Sequence, residues 1–167
     1  MTSTLMVRSD VQAQIIRSAA APDLLMAIGA LLADYWHEVD HYWGRNAHQL
    51  YTEDGVFAIG SDHMNGPAAI QAFYKWREGR GAREARHVIS NLRVVQLDDG
   101  HVEVACILCL YAADGVPVLP SSPPILIADE VGECVRGSDG LWRFRSHFLK
   151  PVFQGGAPIT TPPGAKA

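Results

Sequence analysis

The sequence predicts an α+β fold in which helices pack on one face of a curved antiparallel sheet. Up to about residue 80, apolar residues recur at the three- and four-residue intervals of amphipathic helices. From residue 83 onward the apolar period is two, as in strands, and Asp-Gly turn signals separate the apolar runs. Helices that precede a meander of strands are typical of α+β proteins, whereas strands alternating with helices would indicate a parallel α/β sheet.

Three helices are expected before the sheet. The first spans residues 22–43; it begins at a Pro-Asp pair and ends before Gly44, since glycine is favoured just past the last helical turn. A short second helix is expected over residues 46–51, followed by a strand over residues 56–60. The third helix begins at a proline and spans residues 67–80. The apolar positions that define the first helix are Leu24, Leu25, Ile28, Leu31, Leu32, Tyr35, Trp36, Val39 and Trp43.

Four long strands follow and form most of the sheet. They are predicted at about residues 84–97, 101–113, 124–136 and 141–153. The folded domain is therefore expected to span residues 22–153. Residues 1–21 are expected to form an N-terminal arm. Residues 154–167, which are rich in Gly, Pro, Thr and Ala, are expected to form a flexible C-terminal tail.

Composition and charge narrow the possible function classes. The chain has 167 residues, 48% apolar and 19% charged, which suits one globular domain with a full core. A net charge of −4 provides no basic surface for nucleic acid. No apolar run suits a membrane span, and no signal-peptide pattern precedes the domain, so a cytoplasmic protein is expected. The three cysteines lie in apolar strand-like runs and are expected to be buried free thiols.

The second long strand predicts self-association. After Glu103 both of its faces are apolar, whereas an antiparallel strand with one wet face should alternate. One face is therefore expected to pack on the helices, and the other on a second subunit of a dimer or trimer. Cover by the chain's own termini is the alternative. One face carries Val104, Cys106, Leu108 and Leu110, and the other carries Ala105, Ile107, Cys109 and Tyr111.

Residues 37–41, with the sequence His-Glu-Val-Asp-His, allow two interpretations. As an H-E-x-x-H motif on a helix, the two histidines would bind zinc and Glu38 would be the general base. Gly44 extends the match towards the longer metzincin pattern, but the third ligand position holds Ala47, and His48 comes one residue late. A one-residue slip turns a helical side chain by about 100°. The sequence therefore favours a site without a metal.

The second interpretation centres on Asp40. This residue lies one turn after Trp36 and three residues before Trp43, on the apolar stripe of the first helix. A buried carboxylate is costly unless it is paired, so a partner side chain is expected. A histidine partner would be held in one tautomer and could act as a general base near neutral pH. A purely structural Asp–His or Asp–Arg pair between helix and sheet is the alternative.

The order of the elements and two motifs resemble the SnoaL-like branch of the nuclear transport factor 2-like superfamily. The motifs are Asp-Gly-Val-Phe at residues 54–57 and Arg-His-Val-Ile-Ser-Asn at residues 86–91. Within that branch, the chain is most similar to the scytalone dehydratase and hexachlorocyclohexane dehydrochlorinase group. The resemblance implies a cone-shaped α+β barrel around a cavity. It also implies a catalytic dyad, with an Asp from the first helix and a His from the strand after the third helix. Asp40 and His87 match those two positions.

Departures from these enzymes bear on the substrate. The strand after His87 has Leu110 and Tyr111 where scytalone dehydratase has a second catalytic histidine. Ile59 stands near the position of that enzyme's first-strand tyrosine, so scytalone is not the expected substrate. Phe57, Ala58 and Ile59 offer no carboxylate, unlike the first strand of ketosteroid isomerases.

The expected function is a cofactor-independent lyase that eliminates water, a halide or a small carbonyl fragment from a small hydrophobic, cyclic or aromatic compound. His87 would remove the proton, and Asp40 would orient the ring. The carboxylate of Asp40 is expected to raise the pKa of His87 by more than burial beside Trp36 and Trp43 lowers it. An isomerase or polyketide-type cyclase with the same base is one alternative. A non-catalytic ligand-binding or assembly subunit, like the β subunit of ring-hydroxylating dioxygenases, is another. No cofactor, metal, nucleic acid or membrane is expected as a partner. The residues expected to line the substrate pocket are Trp36, Val39, Trp43, Tyr51, Phe57, Phe73, Asn91 and Tyr111.

Overall fold

A computed structural model of the protein describes residues 20–155. The arm predicted over residues 1–21 and the tail predicted over residues 154–167 lie almost entirely outside the described residues. Within them, two α-helices pack on a curved, six-stranded sheet that does not close on itself. The predicted α+β class is confirmed.

The two helices begin and end where local signals place them. Helix α1 spans Pro22–Tyr42 and helix α2 spans Gly66–Glu78, each with proline in its first turn. Helix α1 is followed by Trp43, whose φ of 63° is left-handed, and by Gly44 with φ 70°. The α-helix predicted over residues 46–51 is a 3-10 helix in the structure. Ala47–Leu50 form a single 3-10 turn, because the first strand begins directly after it and leaves no length for an α-helix.

The four long strands that the sequence predicts are present, and two further strands complete the sheet. The strand predicted at residues 56–60 begins earlier than expected. The turn predicted at Asn65-Gly66 lies at the end of an additional short strand, whose length is too small for an alternating pattern to be visible. The strands are β1 (Tyr51–Ile59), β2 (Asp62–Asn65), β3 (Arg83–Asp98), β4 (His101–Asp114), β5 (Leu126–Arg136) and β6 (Trp142–Gln154).

The sheet is mixed rather than purely antiparallel. Its strand order is β2-β1-β6-β5-β4-β3, and β1 pairs with β6 in parallel, whereas all other neighbours are antiparallel. A parallel pair needs a long connection, and here that connection comprises β2, α2 and strands β3 to β5. Strands β2 and β3 are the two edges of the sheet and do not pair with each other. The cone-shaped barrel that the resemblance implies is therefore an open, curved sheet in this protein.

Helix α1 supplies most of the helical side of the core. Ile28, Leu32 and Tyr35 are fully buried, one turn apart, and helix α1 contacts strand β3. Within residues 20–155, neither helix is both long enough and apolar enough to cross a membrane.

Strand β4 has one fully buried face and one half-buried face. Val104, Cys106 and Leu108 are buried, whereas Ile107 and Cys109 on the opposite face stay partly open to solvent. Self-association through this face remains a prediction.

The thiols of the described residues are free, and burial raises the pKa of Cys134 to about 12, as expected for an inert buried thiol.

Candidate active site

Asp40 and His87 lie in direct contact at the junction of α1 and β3. The Nδ1 atom of His87 is 2.6 Å from Oδ1 of Asp40, and the backbone N–H of His87 donates to Oδ2 at 2.8 Å. The two side chains are only 4% and 8% exposed for His87 and Asp40 respectively. Both carboxylate oxygens thus accept a hydrogen bond from the same residue, which fixes the position of the imidazole.

Local structure explains how these residues meet. Asp40 is one turn from Trp36, on the face of α1 that packs against the sheet. His87 lies opposite Leu110 in the antiparallel β3–β4 ladder, and both line the same cavity. Helical spacing placed Asp40 on the buried stripe of α1, and the family resemblance of residues 86–91 indicated His87 as its partner.

Trp36 completes the surroundings of the imidazole. Its ring stacks on the ring of His87, with centroids 4.0 Å apart and planes inclined by 16°. The indole N–H donates to the carboxylate of Glu130 at 3.0 and 3.3 Å. His87 is therefore held at one nitrogen by Asp40 and on one face by an indole that is itself anchored to β5.

The expected direction of the His87 pKa is wrong. Burial lowers the pKa of His87 below its usual value of 6.5, and this effect exceeds the opposing effect of the Asp40 carboxylate. The physical reason is that the imidazolium loses its water on nearly all sides, whereas Asp40 contacts only one edge of the ring. The neutral imidazole is therefore the favoured form at neutral pH.

His87 lines a small, partly open cavity between the helices and the concave face of the sheet. Its volume is about 40 Å³, whereas an apolar cavity of about 150 Å³ holds benzene. A ring-sized ligand thus requires the lining side chains to move outward. The lining residues are Trp36, Phe57, Ile59, Phe73, Tyr74, Arg77, Arg83, His87, Leu110, Ile125, Leu126 and Leu149.

Of the eight residues predicted to line the substrate pocket, three line this cavity and five do not. Trp36, Phe57 and Phe73 line the cavity. The remaining five, whose placement differs from the prediction, are Val39, Trp43, Tyr51, Asn91 and Tyr111. Val39 and Tyr51 are buried in the core instead. Trp43 is half-buried just past the end of α1, because the chain leaves the helix there.

Asn91 and Tyr111 do not face the cavity, for two different reasons. A β-bulge between Ser90 and Arg93 breaks the alternation of β3, and Asn91 takes a left-handed φ of 56° and is exposed. Tyr111 follows Leu110 on an unbroken strand and therefore points to the opposite face. There it lines a separate cavity of about 340 Å³ beside residues 117–122.

A second buried polar cluster lies behind Trp36 and was not predicted. Glu130 and His147 are each 1% exposed, and Nε2 of His147 is 2.6 Å from Oε1 of Glu130. The hydroxyl of Tyr51 is 2.8 Å from Nδ1 of His147, and burial raises the pKa of Tyr51, so this hydroxyl keeps its proton. The parity of Leu126, Ala128 and Glu130 on one strand was the signal that could have revealed this carboxylate.

Arg77 and Arg83 are two charged cavity residues that were not predicted from the sequence. Both add a basic residue to an otherwise mostly apolar lining. Arg83 donates to Asp114, whereas Arg77 lies in the last turn of α2. Position 77 continues the buried stripe of Ile70, Phe73 and Tyr74 at helical spacing, and this spacing was the signal that could have placed Arg77 on the cavity side of α2.

The His-Glu-x-x-His segment is exposed at its two histidines. The rings of His37 and His41 lie 4.5 Å apart on the solvent side of α1, and Glu38 accepts a hydrogen bond from the backbone N–H of Asn46. Among residues 20–155, no group of three or more His, Cys, Asp or Glu side chains is placed to hold a metal ion. That the protein requires no zinc stays a prediction, which metal analysis of the purified protein would test.

Residues 23–147 match the family of the SnoaL-like domain. This chain belongs to the SnoaL-like domain family. The resemblance seen in the sequence is thereby confirmed, and the open curved sheet with its two helices suits that family. A comparison with curated proteins finds no match.

Solved structures share the fold of this SnoaL-like chain. Aln2 from a Streptomyces species has a TM-score of 0.70 at 20% identity and covers 79% of this chain and 93% of its own. A proposed scytalone dehydratase from Novosphingobium aromaticivorans has a TM-score of 0.67 at 18% identity, covering 85% and 94%. ActVI-ORFA from Streptomyces coelicolor has a TM-score of 0.68 at 17% identity, covering 77% and 97%. At these identities the similarity shows the fold alone.

Proposed function

We propose that this protein is a cofactor-independent lyase that eliminates water or a halide from a small hydrophobic, cyclic or aromatic compound. The observation that carries the proposal is the buried contact between Asp40 and His87 at the wall of a mostly apolar cavity. Membership of the SnoaL-like family supports a small-molecule enzyme, and a proposed scytalone dehydratase is among the structural neighbours.

The geometry suits His87 as the general base. Because both oxygens of Asp40 accept hydrogen bonds, Nδ1 of His87 carries the proton, and Nε2 keeps the lone pair that a base needs. The lowered pKa keeps the ring neutral at neutral pH. Once the ring takes a proton, the carboxylate 2.6 Å away stabilises the imidazolium. The stacked indole of Trp36 adds a cation–π interaction in the same charged state.

The test follows both the C–H bond and the leaving group. The purified protein is incubated in deuterium oxide with a panel of cyclic alcohols and cyclic halides, with and without a carbonyl beside the acidic C–H. An elimination releases water or halide and forms an alkene, which absorbance and mass spectrometry detect. An isomerase or cyclase would exchange hydrogen for deuterium, or rearrange the carbon skeleton, without losing a leaving group.

The central variant is His87→Gln, with His41→Gln as its matched control. Loss of a general base should lower the elimination rate by about 10²- to 10⁴-fold. His41 is an exposed histidine on α1, so its replacement should leave the rate unchanged. Elimination that persists in His87→Gln would refute the proposed base. Wild-type protein that neither eliminates nor exchanges hydrogen with any compound of the panel would favour the non-catalytic binding role.

We further propose that the protein works in the cytoplasm as a dimer or trimer. The free, buried thiols support a reducing compartment. The partly exposed apolar face of β4, with Ile107 and Cys109, supports contact with a second copy of the chain.

A further inference from the structure

Arg77 brings to the cavity a positive charge that has no hydrogen-bonded partner among the described residues. It lies in the last turn of α2 and lines the same cavity as His87 and Trp36. Its guanidinium makes no hydrogen bond and no ion pair with any of residues 20–155. Burial lowers the pKa of Arg77, yet an arginine keeps its charge in proteins. A cation beside apolar walls is costly until an anion pairs with it, so the cavity is suited to a ligand that carries or develops negative charge.

The other cavity arginine, Arg83, has the carboxylate partner that Arg77 lacks. Arg83 lines the same cavity, but it donates to the carboxylate of Asp114. A basic residue near the end of a helix is favoured by the helix dipole, which accounts for the exposed Lys75. The dipole does not require a guanidinium to line an apolar cavity, so it does not account for the position of Arg77.

The carboxylate of Asp40 makes no hydrogen bond and no ion pair with Arg77. Asp40 attracts Arg77 electrostatically, but one of its oxygens contacts Nδ1 of His87 and the other accepts the backbone N–H of His87. The N–H donors of Arg77 thus make no hydrogen bond within residues 20–155 and are available to a bound molecule.

Removal of a proton beside a carbonyl group moves an electron pair onto the carbonyl oxygen, and that oxygen needs a donor. Tyr35 and Tyr74 bond to each other and Tyr51 bonds to His147. These hydroxyls are neutral, and a neutral donor binds an anion less strongly than a charged guanidinium does. Of the cavity groups that could receive the negative charge, Arg77 is the one without a partner among the described residues.

We propose that Arg77 binds the carbonyl oxygen of the substrate and stabilises the enolate, so that the substrate is a carbonyl compound with a hydroxyl or halogen on its β carbon. This inference rests on the proposed function, because it assumes that His87 removes a proton in the same cavity. Nε2 of His87 takes the proton from the α carbon, and the C–H electron pair forms the C=C bond of the enolate. The enolate then re-forms its carbonyl as the bond to the leaving group breaks. Hydroxide leaves as water with the proton from His87, whereas halide leaves as the ion and His87 passes its proton to solvent.

Binding of p-nitrophenol tests the oxyanion site without any turnover. Its phenolate carries charge on oxygen as an enolate does, and it absorbs at a different wavelength from the neutral phenol. The wild-type protein is expected to bind the phenolate in preference to the phenol and to lower the apparent pKa of the bound probe. Arg77→Gln should weaken binding of the anion by about 10- to 100-fold and abolish that pKa shift.

Two further variants control this experiment. Arg77→Lys keeps the charge but loses the planar fork, so it should retain part of the preference for the phenolate; it also serves if Arg77→Gln does not fold. Arg80→Gln is the matched control, because Arg80 is an exposed arginine three residues later, 5.2 Å from the ring of Trp76. It removes the same net charge and should bind the phenolate like the wild type.

Turnover separates the inference from the proposed function. Only the carbonyl members of the compound panel should react, and Arg77→Gln should lower kcat by about 10²- to 10³-fold, with a smaller effect on KM because the charge develops in the transition state. His87→Gln should lose turnover but still bind the phenolate. Arg77-dependent phenolate binding without any wild-type turnover would refute the lyase and leave the oxyanion site standing. Normal phenolate binding and normal kcat in Arg77→Gln would overturn this inference alone.

Discussion

Replacement of Asp40 by asparagine probes the dyad with little change in shape. The carboxylate accepts one hydrogen bond on each oxygen, from the side chain and from the backbone of His87. The amide of asparagine has one acceptor atom, and its NH₂ group can only donate. If the backbone bond keeps the oxygen, the NH₂ group faces Nδ1 and favours the tautomer that carries its proton on Nε2. That tautomer has no lone pair on the nitrogen that acts as the base.

The size of the effect follows from the contact. The imidazole and the carboxylate are 2.6 Å apart at their closest atoms, and both side chains are less than a tenth exposed, so water screens the pair little. Two unit charges about 4 Å apart in an effective dielectric of about 20 attract each other by about 4 kcal/mol. A loss of that size corresponds to about a thousandfold in rate. With the tautomer effect, we expect Asp40→Asn to lower the elimination rate by about two to four orders of magnitude.

The pH dependence provides a second readout of the same variant. The hydrogen bond and the charge of Asp40 both raise the pKa of His87 against the larger effect of burial. Their loss should therefore lower the pKa of His87 further, which an NMR titration of the imidazole measures without any substrate. Asp34→Asn, an exposed aspartate on the same helix, should change neither the rate nor this pKa. A near-normal rate in Asp40→Asn would mean that the carboxylate only joins helix to sheet.

Three further predictions concern stability and assembly. Glu130→Ala leaves the donors of Trp36 and His147 without an acceptor and should lower the free energy of unfolding in urea by about 3–5 kcal/mol. Glu133→Ala on the same strand breaks an exposed pair and should cost less than about 1 kcal/mol; equal losses would contradict the importance of the buried cluster. Because the folded-state pKa of His87 is lowered, its contribution to stability should be fully present above pH 6.5 and lost as the pH falls through the folded pKa. A His87→Gln variant should accordingly show a shallower acid-induced loss of stability, and an identical loss would refute this reasoning. Light scattering should show a dimer or trimer at micromolar concentration, and a monomer would require the half-buried face of β4 to be covered within the chain.

Features that depend on near neighbours in the chain were predictable from the sequence. Helix α1 and strands β3 to β6 follow from apolar periods of 3.6 and two, because a regular element repeats its side-chain directions along the chain. The same periodicity places Asp40 on the buried stripe of α1. The pairing with His87 was inferred from the resemblance of residues 86–91 to a known family. The match over residues 23–147 confirms the family.

Features that depend on distant segments were decided by the tertiary structure. The parallel pairing of β1 with β6 joins segments separated by most of the domain, and no local pattern distinguishes it from an antiparallel pair. The bulge after Ser90 reverses the parity of β3, so Asn91 leaves the cavity.

The buried polar residues also fall into two groups, those predictable from spacing along the chain and those placed by tertiary packing. The sequence by itself determined the helix stripe and the strand that carry Asp40 and His87, because regular spacing fixes the face on which a side chain lies. Only the packed structure brought Glu130 to His147 behind Trp36, and Arg77 to the cavity without an acceptor. Whether a buried charge has a partner depends on atoms from other elements a few ångströms away, and that distance is set by folding rather than by spacing along the chain.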